Sequence, residues 1–562
     1  MVDKPYARQE KNNPLKFLIT SSWTIVVSAI ALLIAIPILF IFQSILVDAG
    51  EIWQHLAETV LIDYLVNSFW LIFGVGFGVL VIGVGTAWLV TMCRFTGSRI
   101  LEWALLLPLA APAYVLAYTY TEVLDYYGVV QTWLRSIFGW TNANQYWFPD
   151  IRSLPGAIVM LILVLYPYVY LLARVAFIQQ SVCTLEASRN LGCNPWSSFF
   201  KVALPLARPS IAAGLALALM ETLNDLGTVE YFGVSTFTTG IYRTWLGMGE
   251  RTAAAQLAAC LMIFILVLIV LERWSRRQAR YYQTSTNIKA LSLYHLKGIR
   301  NLISALVCLI PVFFGFILPC AFLGKMSLEN LDKTLNSEFW QLASHSFILA
   351  SITALITVLI SIIMAYGQRL QPNIGMRLAV RIAAMGYAIP GSVIAVGVMI
   401  PIGKLDNLIN SLAQSLFNMS AGLFLSGTIV VLIYAYLVRF LAVGFGAIES
   451  SLNKISPNLD NAARSLGYGA TSTLIKVHAP LIWGGMLTSA MVVFVDVMKE
   501  LPATLVIRPF NFDTLAVKVY QYAADERLIE ASAPALCIVL VGILPVILLS
   551  LEIRQSRPQK KQ

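Results

Sequence analysis

Four acidic residues set in apolar surroundings are the groups best suited to do chemistry. Glu221 and Asp225 lie four positions apart, and Asp496 and Glu500 repeat that spacing 275 positions later. Residues four apart share one face of an α-helix, so each pair is expected to present two carboxylates side by side. Carboxylate oxygens are hard donors and suit a hard, highly charged cation. An acid within a membrane span is costly and marks a polar cavity or a partner. Two facing pairs would form a ring of four carboxylates on the outer side of a translocation pathway. The competing expectation is structural: the acids pair with Lys499, Arg243 or Arg508, or sit at the membrane surface. Other chemistry is missing from the sequence. Seven cysteines form no C-x-x-C pair and four histidines no H-E-x-x-H motif, so no metal ligands and no catalytic residues are assigned. Gly74, Gly76, Gly78, Gly83 and Gly85 lack the lysine of a phosphate-binding loop and read as close helix packing. The chain therefore has no motif for hydrolysing ATP by itself.

The elements that must carry these acids are membrane spans. Hydrophobic residues make up 58% of the chain and charged residues 12%, with mean hydropathy +0.75. A soluble domain holds about twice that charged fraction. Runs of about 20 apolar residues, the length that crosses a bilayer, fall near 18–46, 66–92, 100–120, 155–175, 209–229, 253–271, 301–323, 345–366, 378–401, 421–442, 483–506 and 531–551. The first run is too long for a signal peptide and reads as an uncleaved span. Basic clusters at Lys4–Lys16, Arg94 and Arg99, Arg273–Arg300, Arg369–Arg381 and Arg554–Lys561 alternate with runs free of them. The positive-inside rule then puts both termini in the cytoplasm. The same clusters account for the formal charge of +10, so a nucleic-acid partner is not expected. Tyr166, Tyr168, Tyr170, Tyr434 and Tyr436 read as anchors at the membrane interface rather than phenolate ligands. The aromatic stretch around Trp133, Trp140, Tyr146 and Trp147 reads the same way.

The chain is an internal duplication. Gly192 and Gly467, Pro205 and Pro480, Glu221 and Asp496, and Asp225 and Glu500 all share the offset of 275, and Asn67-Ser68-Phe69 matches His345-Ser346-Phe347 at 278. Each half, 1–280 and 281–562, holds six spans, an even number, so the halves are parallel repeats related by an axis along the membrane normal. The basic stretch around 272–300 links them. A pathway at the interface of the halves is the expected consequence.

A patterned loop lies between the fourth and fifth spans of each half. The first reads Glu186-Ala187-Ser188, then Gly192, then Leu204-Pro205; the second reads Asn461-Ala462-Ala463, then Gly467, then Ala479-Pro480. In both, glycine precedes proline by 13 positions. A short amphipathic helix ended by glycine fits the pattern. These loops resemble the signature loop of permease subunits of bacterial ABC importers, and two in one chain resemble the branch in which one polypeptide replaces a pair of permeases. The segments Met220–Gly233 and Lys499–Leu505 are similar to those of the ferric iron permeases of that branch. The resemblance covers nearly the whole chain.

The resemblance implies an all-α polytopic membrane protein of twelve spans in two parallel six-helix repeats, like a type I ABC importer permease, in the bacterial inner membrane. It implies that Glu186, Ala187, Ser188, Gly192, Leu204 and Pro205, with Asn461, Ala462, Ala463, Gly467 and Pro480, dock on a cytoplasmic ABC ATPase dimer. That partner would use ATP and magnesium, and this chain would bind no cofactor. A periplasmic ferric-binding protein would deliver Fe³⁺ for movement by alternating access. Asn461 in place of the leading acid, and Ala479 in place of leucine, make the two docking contacts unequal, the first being the stronger. Thiamine or another small cationic solute is the alternative cargo. A polytopic membrane enzyme and a passive channel are the rival classes.

Overall fold

The structure of the chain, a computed structural model, describes residues 22–48, 50–179, 192, 194–277, 294–420 and 422–555. Among these residues it is helical apart from a parallel pairing of β1 (Cys93–Arg94) with β2 (Tyr294–His295). Ten helices are long and apolar enough to cross a membrane, and two bent pairs bring the number to twelve if each is one span. The first half contains α1 (Ser22–Ser44), α2 (Leu61–Met92), α3 (Ala113–Leu124), α4 (Leu154–Gln179), α5 (Leu204–Asn224), the short α6 (Gly227–Tyr231) and α7 (Arg251–Arg277). The second contains α8 (Ile299–Glu329), α9 (Ser337–Leu370), α10 (Gly391–Phe417), α11 (Ile429–Asn453), α12 (Pro457–Ser465), α13 (Trp483–Met498), the short α14 (Pro502–Ile507) and α15 (Leu528–Gln555).

Apolar runs expected as single spans at 100–120, 378–401 and 483–506 are interrupted. Pro112 and Pro390 sit in extended conformation just before α3 and α10, and the residues preceding them, Ala111 and Ile389, are extended as well. Proline disfavours helical geometry in the residue before it, so hydropathy runs through these points while the helix does not. The span expected at 378–401 is instead a helix Ile374–Ala383, a 3₁₀ turn at Gly386–Ala388 and then α10. The helix begun at 483 stops at Met498, before α14.

Other prolines are absorbed by widening the helix. Single π-turns at Phe199–Ala203, Phe313–Ile317 and Leu474–His478 each end two residues before Pro205, Pro319 and Pro480, respectively, with Leu204, Leu318 and Ala479 between. Proline supplies no N–H, and the wider turn sets the register around that gap. Two carbonyls left without a helical donor are satisfied from the opposite half. Pro37 cannot donate to Leu33 O, and the Tyr434 hydroxyl does so at 2.6 Å; the Tyr120 hydroxyl donates to Phe314 O, five residues before Pro319, at 2.6 Å.

These two bonds belong to an exchange of first spans. α1 packs on Ile374–Ala383, α9 and α10 of the second half, while α8 packs on α2, α3 and α4 of the first. Both approaches are close enough to need glycine. A Cβ on Gly397 would stand 2.7 Å from Pro37 O, and one on Gly315 2.7 Å from Leu163 O. Small residues let helix backbones meet where lipid provides no hydrophobic drive.

Candidate functional site

α5 and α13 are equivalent helices, and each ends in the same way. α5 stops at Asn224, and Asp225 turns into extended geometry (φ −63°, ψ 129°). The Asp225 carboxylate then accepts from the backbone N–H groups of Thr228 and Val229, both at 3.1 Å, and from the Thr228 hydroxyl at 3.0 Å. Glu500 stands beyond the end of α13 and accepts from Ala503 N–H at 2.9 Å. Helix N-termini leave N–H groups unpaired and favour negative charge, so each carboxylate starts the short helix that follows it. The expectation that Glu221 and Asp225, or Asp496 and Glu500, share a face of one helix is corrected accordingly: the second acid of each pair has left the helix to cap the next one.

All four acids nonetheless line one cavity of about 100 Å³ between the halves. Tyr114, Tyr168 and Asn224 join Glu221 and Asp225 from the first half; Tyr387, Arg439 and Lys499 join Asp496 and Glu500 from the second. Glu221 lies 17 residues beyond Leu204 at the start of α5. At 1.5 Å per residue it stands about 26 Å from the loop end, most of the way across a hydrocarbon core of about 30 Å.

The acids are not equivalent electrostatically. Asp496 pairs with Lys499 at 2.8 Å, as one structural expectation held. Glu500 pairs with Arg439 at 3.3 Å, both residues 4% exposed. Arg243 and Arg508 serve elsewhere, on Glu230 and Asp513. Among the described residues Glu221 accepts a hydrogen bond from Asn224 Nδ2 at 3.5 Å and forms no ion pair. Four carboxylates against two cations leave the cavity a formal excess of two negative charges. Asn224 ties the halves together: its Oδ1 accepts from Arg439 Nη1 at 2.9 Å and from Gly391 N–H, at the start of α10, at 2.7 Å. Among the described residues, no group of three or more His, Cys, Asp and Glu side chains is placed to hold a metal ion.

Arg439, Asn224, Tyr387 and Tyr114 escaped the sequence reading. Arg439 had a signal, because a cation within an apolar run is functional or paired by default. Four of the five tyrosines expected at the membrane interface lie elsewhere. Tyr166, Tyr170 and Tyr436 are fully buried inside the bundle rather than at its interface. Tyr170 donates to Glu102 O at 2.7 Å, Tyr436 and Thr504 share a hydroxyl contact of 2.6 Å, and Tyr168 faces the cavity.

The patterned loops lie at the opposite end of α5 and α13. Glu186, Ala187 and Ser188 fall outside the described residues. Gly192 has φ +84° and Gly467 φ +83°, the left-handed geometry at which glycine ends a helix. In the second loop, Gly467 N–H bonds Arg464 O and Tyr468 N–H bonds Ala463 O, which closes α12 in a Schellman motif. Asn461, Ala462, Leu466 and Gly467 are exposed, Leu466 at 76%, whereas Ala463 packs inward. Leu204 and Pro205 open α5, and Pro480 precedes α13. Burial alone would raise the Asp460 carboxyl of α12, but hydrogen bonds and charge from Arg369 and His478 hold it below the usual carboxylate value.

With this geometry in view, residues 80–281 match a family described as the binding-protein-dependent transport system inner membrane component. The chain carries a transport permease domain. Its second half rebuilds the same elements at the repeat offset: α9, α10, α11, α13, α14 and α15 correspond to α2, α3, α4, α5, α6 and α7, and the counterpart of α12 falls outside the described residues. The permease is 25% identical over 534 residues to the Fe(3+)-transport system permease protein FbpB 2 of Haemophilus influenzae, covering 92% of this chain and 96% of the relative. It is 23% identical over 518 residues to the ferric transport system permease protein FbpB of Actinobacillus pleuropneumoniae, covering 87% and 71%. Similarity to the molybdenum transport system permease protein ModB of Escherichia coli is 26% over 229 residues, 40% of this chain and 94% of the relative. Helical among its described residues apart from the β1–β2 pairing, the permease is a multi-pass inner-membrane transport subunit of the type I fold.

Proposed function

We propose that this permease moves ferric iron from the periplasm to the cytoplasm as the membrane subunit of an ATP-driven importer. The observation that carries the reading is the cavity between the halves, with acids at repeat-related positions and a net negative charge, in a chain similar over 92% of its length to an Fe(3+)-transport permease. The excess charge attracts a hard cation, while the ion pairs of Asp496 and Glu500 keep the site from becoming a tight trap. Glu221 and Asp225 form no ion pair among the described residues, and Glu221, which also lacks the helix-capping bonds that hold Asp225, would meet the ion first.

In this reading Gly192, Leu204, Pro205, Asn461, Ala462, Gly467 and Pro480, together with Glu186, Ala187 and Ser188, dock on a cytoplasmic ATPase dimer, with Ala463 packed inward behind that surface. Both termini are cytoplasmic, and a periplasmic ferric-binding protein delivers the ion. Closure of the ATPase dimer rocks the halves, and the bonds of Asn224 to Arg439 and Gly391 must release for the cavity to change the side to which it opens. The ATPase, not this chain, binds ATP and magnesium.

Proteoliposomes holding the permease with its ATPase and binding protein test the proposal. Labelled Fe³⁺ should accumulate only with ATP inside, and labelled thiamine and molybdate should not. Uptake of either competitor in place of iron would overturn the cargo, and uptake without ATP would overturn the class.

A further inference from the structure

The second coupling segment is fastened to the bundle by charge and hydrogen bonds. In the second half the cytoplasmic end of α9 grips the segment at several points. Arg369 Nε and Nη2 donate to Asp460 Oδ2 at 2.9 and 2.6 Å, and its Nη1 and Nη2 donate to Leu452 O and Ile455 O at 2.8 and 2.9 Å. The other carboxylate oxygen, Oδ1, lies 2.6 Å from His478 Nε2, on the π-turn leading to α13. His478 is 0% exposed and packs against Tyr366, whose hydroxyl donates to Ala470 O at 2.8 Å. The carboxylate on α12 is thus held at once by the helix before it in space, α9, and by the segment after it in sequence.

At the repeat-related positions of the first half, Arg369 corresponds to Thr91, Asp460 to Leu185 and His478 to Ala203. Threonine, leucine and alanine cannot rebuild that trio, and residues 180–191 and 193 lie outside the described residues. Trp88, the counterpart of Tyr366, instead packs on Phe177 at 5.4 Å and Phe199 at 4.9 Å. A carboxylate bridged by a bidentate guanidinium and an imidazole fixes both distance and orientation.

We propose that Arg369, Asp460 and His478 are positioning residues that make α12, α9 and α13 move as one body, so that the second coupling segment acts as a rigid lever. This rests on the reading of the loops as ATPase docking segments. None of the three residues touches the cargo; they act by transmitting motion to α13, which carries Asp496.

The test uses the complete reconstituted transporter and counts ATP hydrolysed per Fe³⁺ delivered. Asp460→Leu and His478→Ala install the first-half residues. Each should leave the ATPase bound and hydrolysing while raising the ATP-to-iron ratio about fivefold. His478→Gln keeps a side-chain N–H donor and should restore most of the coupling. If Asp460→Leu yields too little folded protein, Asp460→Asn, which keeps an acceptor for Arg369, should raise the ratio by a smaller factor. An unchanged ratio in both Asp460 variants, whether uptake is intact or falls in proportion to hydrolysis, overturns the proposal. Failure of the unsubstituted chain to bind an ATPase would instead overturn the docking reading beneath it.

Discussion

Replacing Arg439 by methionine removes the cation from a pair in which both members are buried. Arg439 Nη1 reaches Glu500 Oε1 at 3.3 Å and Asn224 Oδ1 at 2.9 Å, and no other salt bridge to Glu500 occurs among the described residues. After substitution Glu500 keeps only the Ala503 N–H bond at 2.9 Å among its present side-chain partners. Stranding one charge of a buried pair costs about 3–5 kcal/mol. Glu500 borders a cavity of about 100 Å³ that can admit water, which argues for the lower end, about 3 kcal/mol. Adding Glu500→Gln removes the stranded charge and leaves an amide oxygen to accept from Ala503. The double variant should then lie within about 1 kcal/mol of the parent. A double-mutant cycle of unfolding free energies in detergent micelles measures the coupling, expected at about 2 kcal/mol or more. Additivity within about 0.5 kcal/mol would refute the claim that Arg439 is retained to neutralise Glu500.

Three other outcomes are open to measurement. Glu221→Gln combined with Glu500→Gln removes the excess charge of the cavity and should lower Fe³⁺ uptake at least about tenfold at normal protein levels; unchanged uptake would sink the pathway role. Gly192→Ala and Gly467→Ala each place a Cβ where φ is positive, costing about 1–2 kcal/mol locally. Uptake should fall further for Gly192, because α12 is also held by Arg369, and equal losses would refute the asymmetry. A Cβ at Gly386 would stand 1.7 Å from the Val438 carbonyl, whereas one at Gly85 meets nothing within 4 Å. Gly386→Ala should abolish monodisperse protein in size-exclusion chromatography, and Gly85→Ala should leave it unchanged.

The parts of the architecture legible in the sequence are those written locally. Apolar run length marks the spans, and the shared offset of Gly192 with Gly467 and of Glu221 with Asp496 marks the repeat. What stayed hidden depends on which element lies opposite. Tyr436 reads as an interface anchor because tyrosine near a span end commonly is one, and only α14, folded back against α11, supplies Thr504 to its hydroxyl. Asp225 reads as the partner of Glu221 by spacing alone, yet the N–H groups of α6 draw it off the helix. The interruptions at Pro112 and Pro390 were readable in principle, since both prolines stand in the sequence, but hydropathy averages across them. Arg439 is the instructive miss: a lone cation in the run that became α11 asks for an acid, and Glu500 stands 61 residues away.

The exchange of first spans bears on how the two halves can be made. Each half shelters a helix that the other half's chain begins with, so the interlock is made by packing and does not require a continuous polypeptide. Tyr434 closes over the proline gap in α1, and Tyr120 over the one in α8, so a half expressed alone would leave its first span without its cradle and a carbonyl unmatched in lipid. Two separately encoded halves, divided between 278 and 293, should therefore be unstable singly and find each other when produced together, as two clasped hands hold without a cord between the wrists.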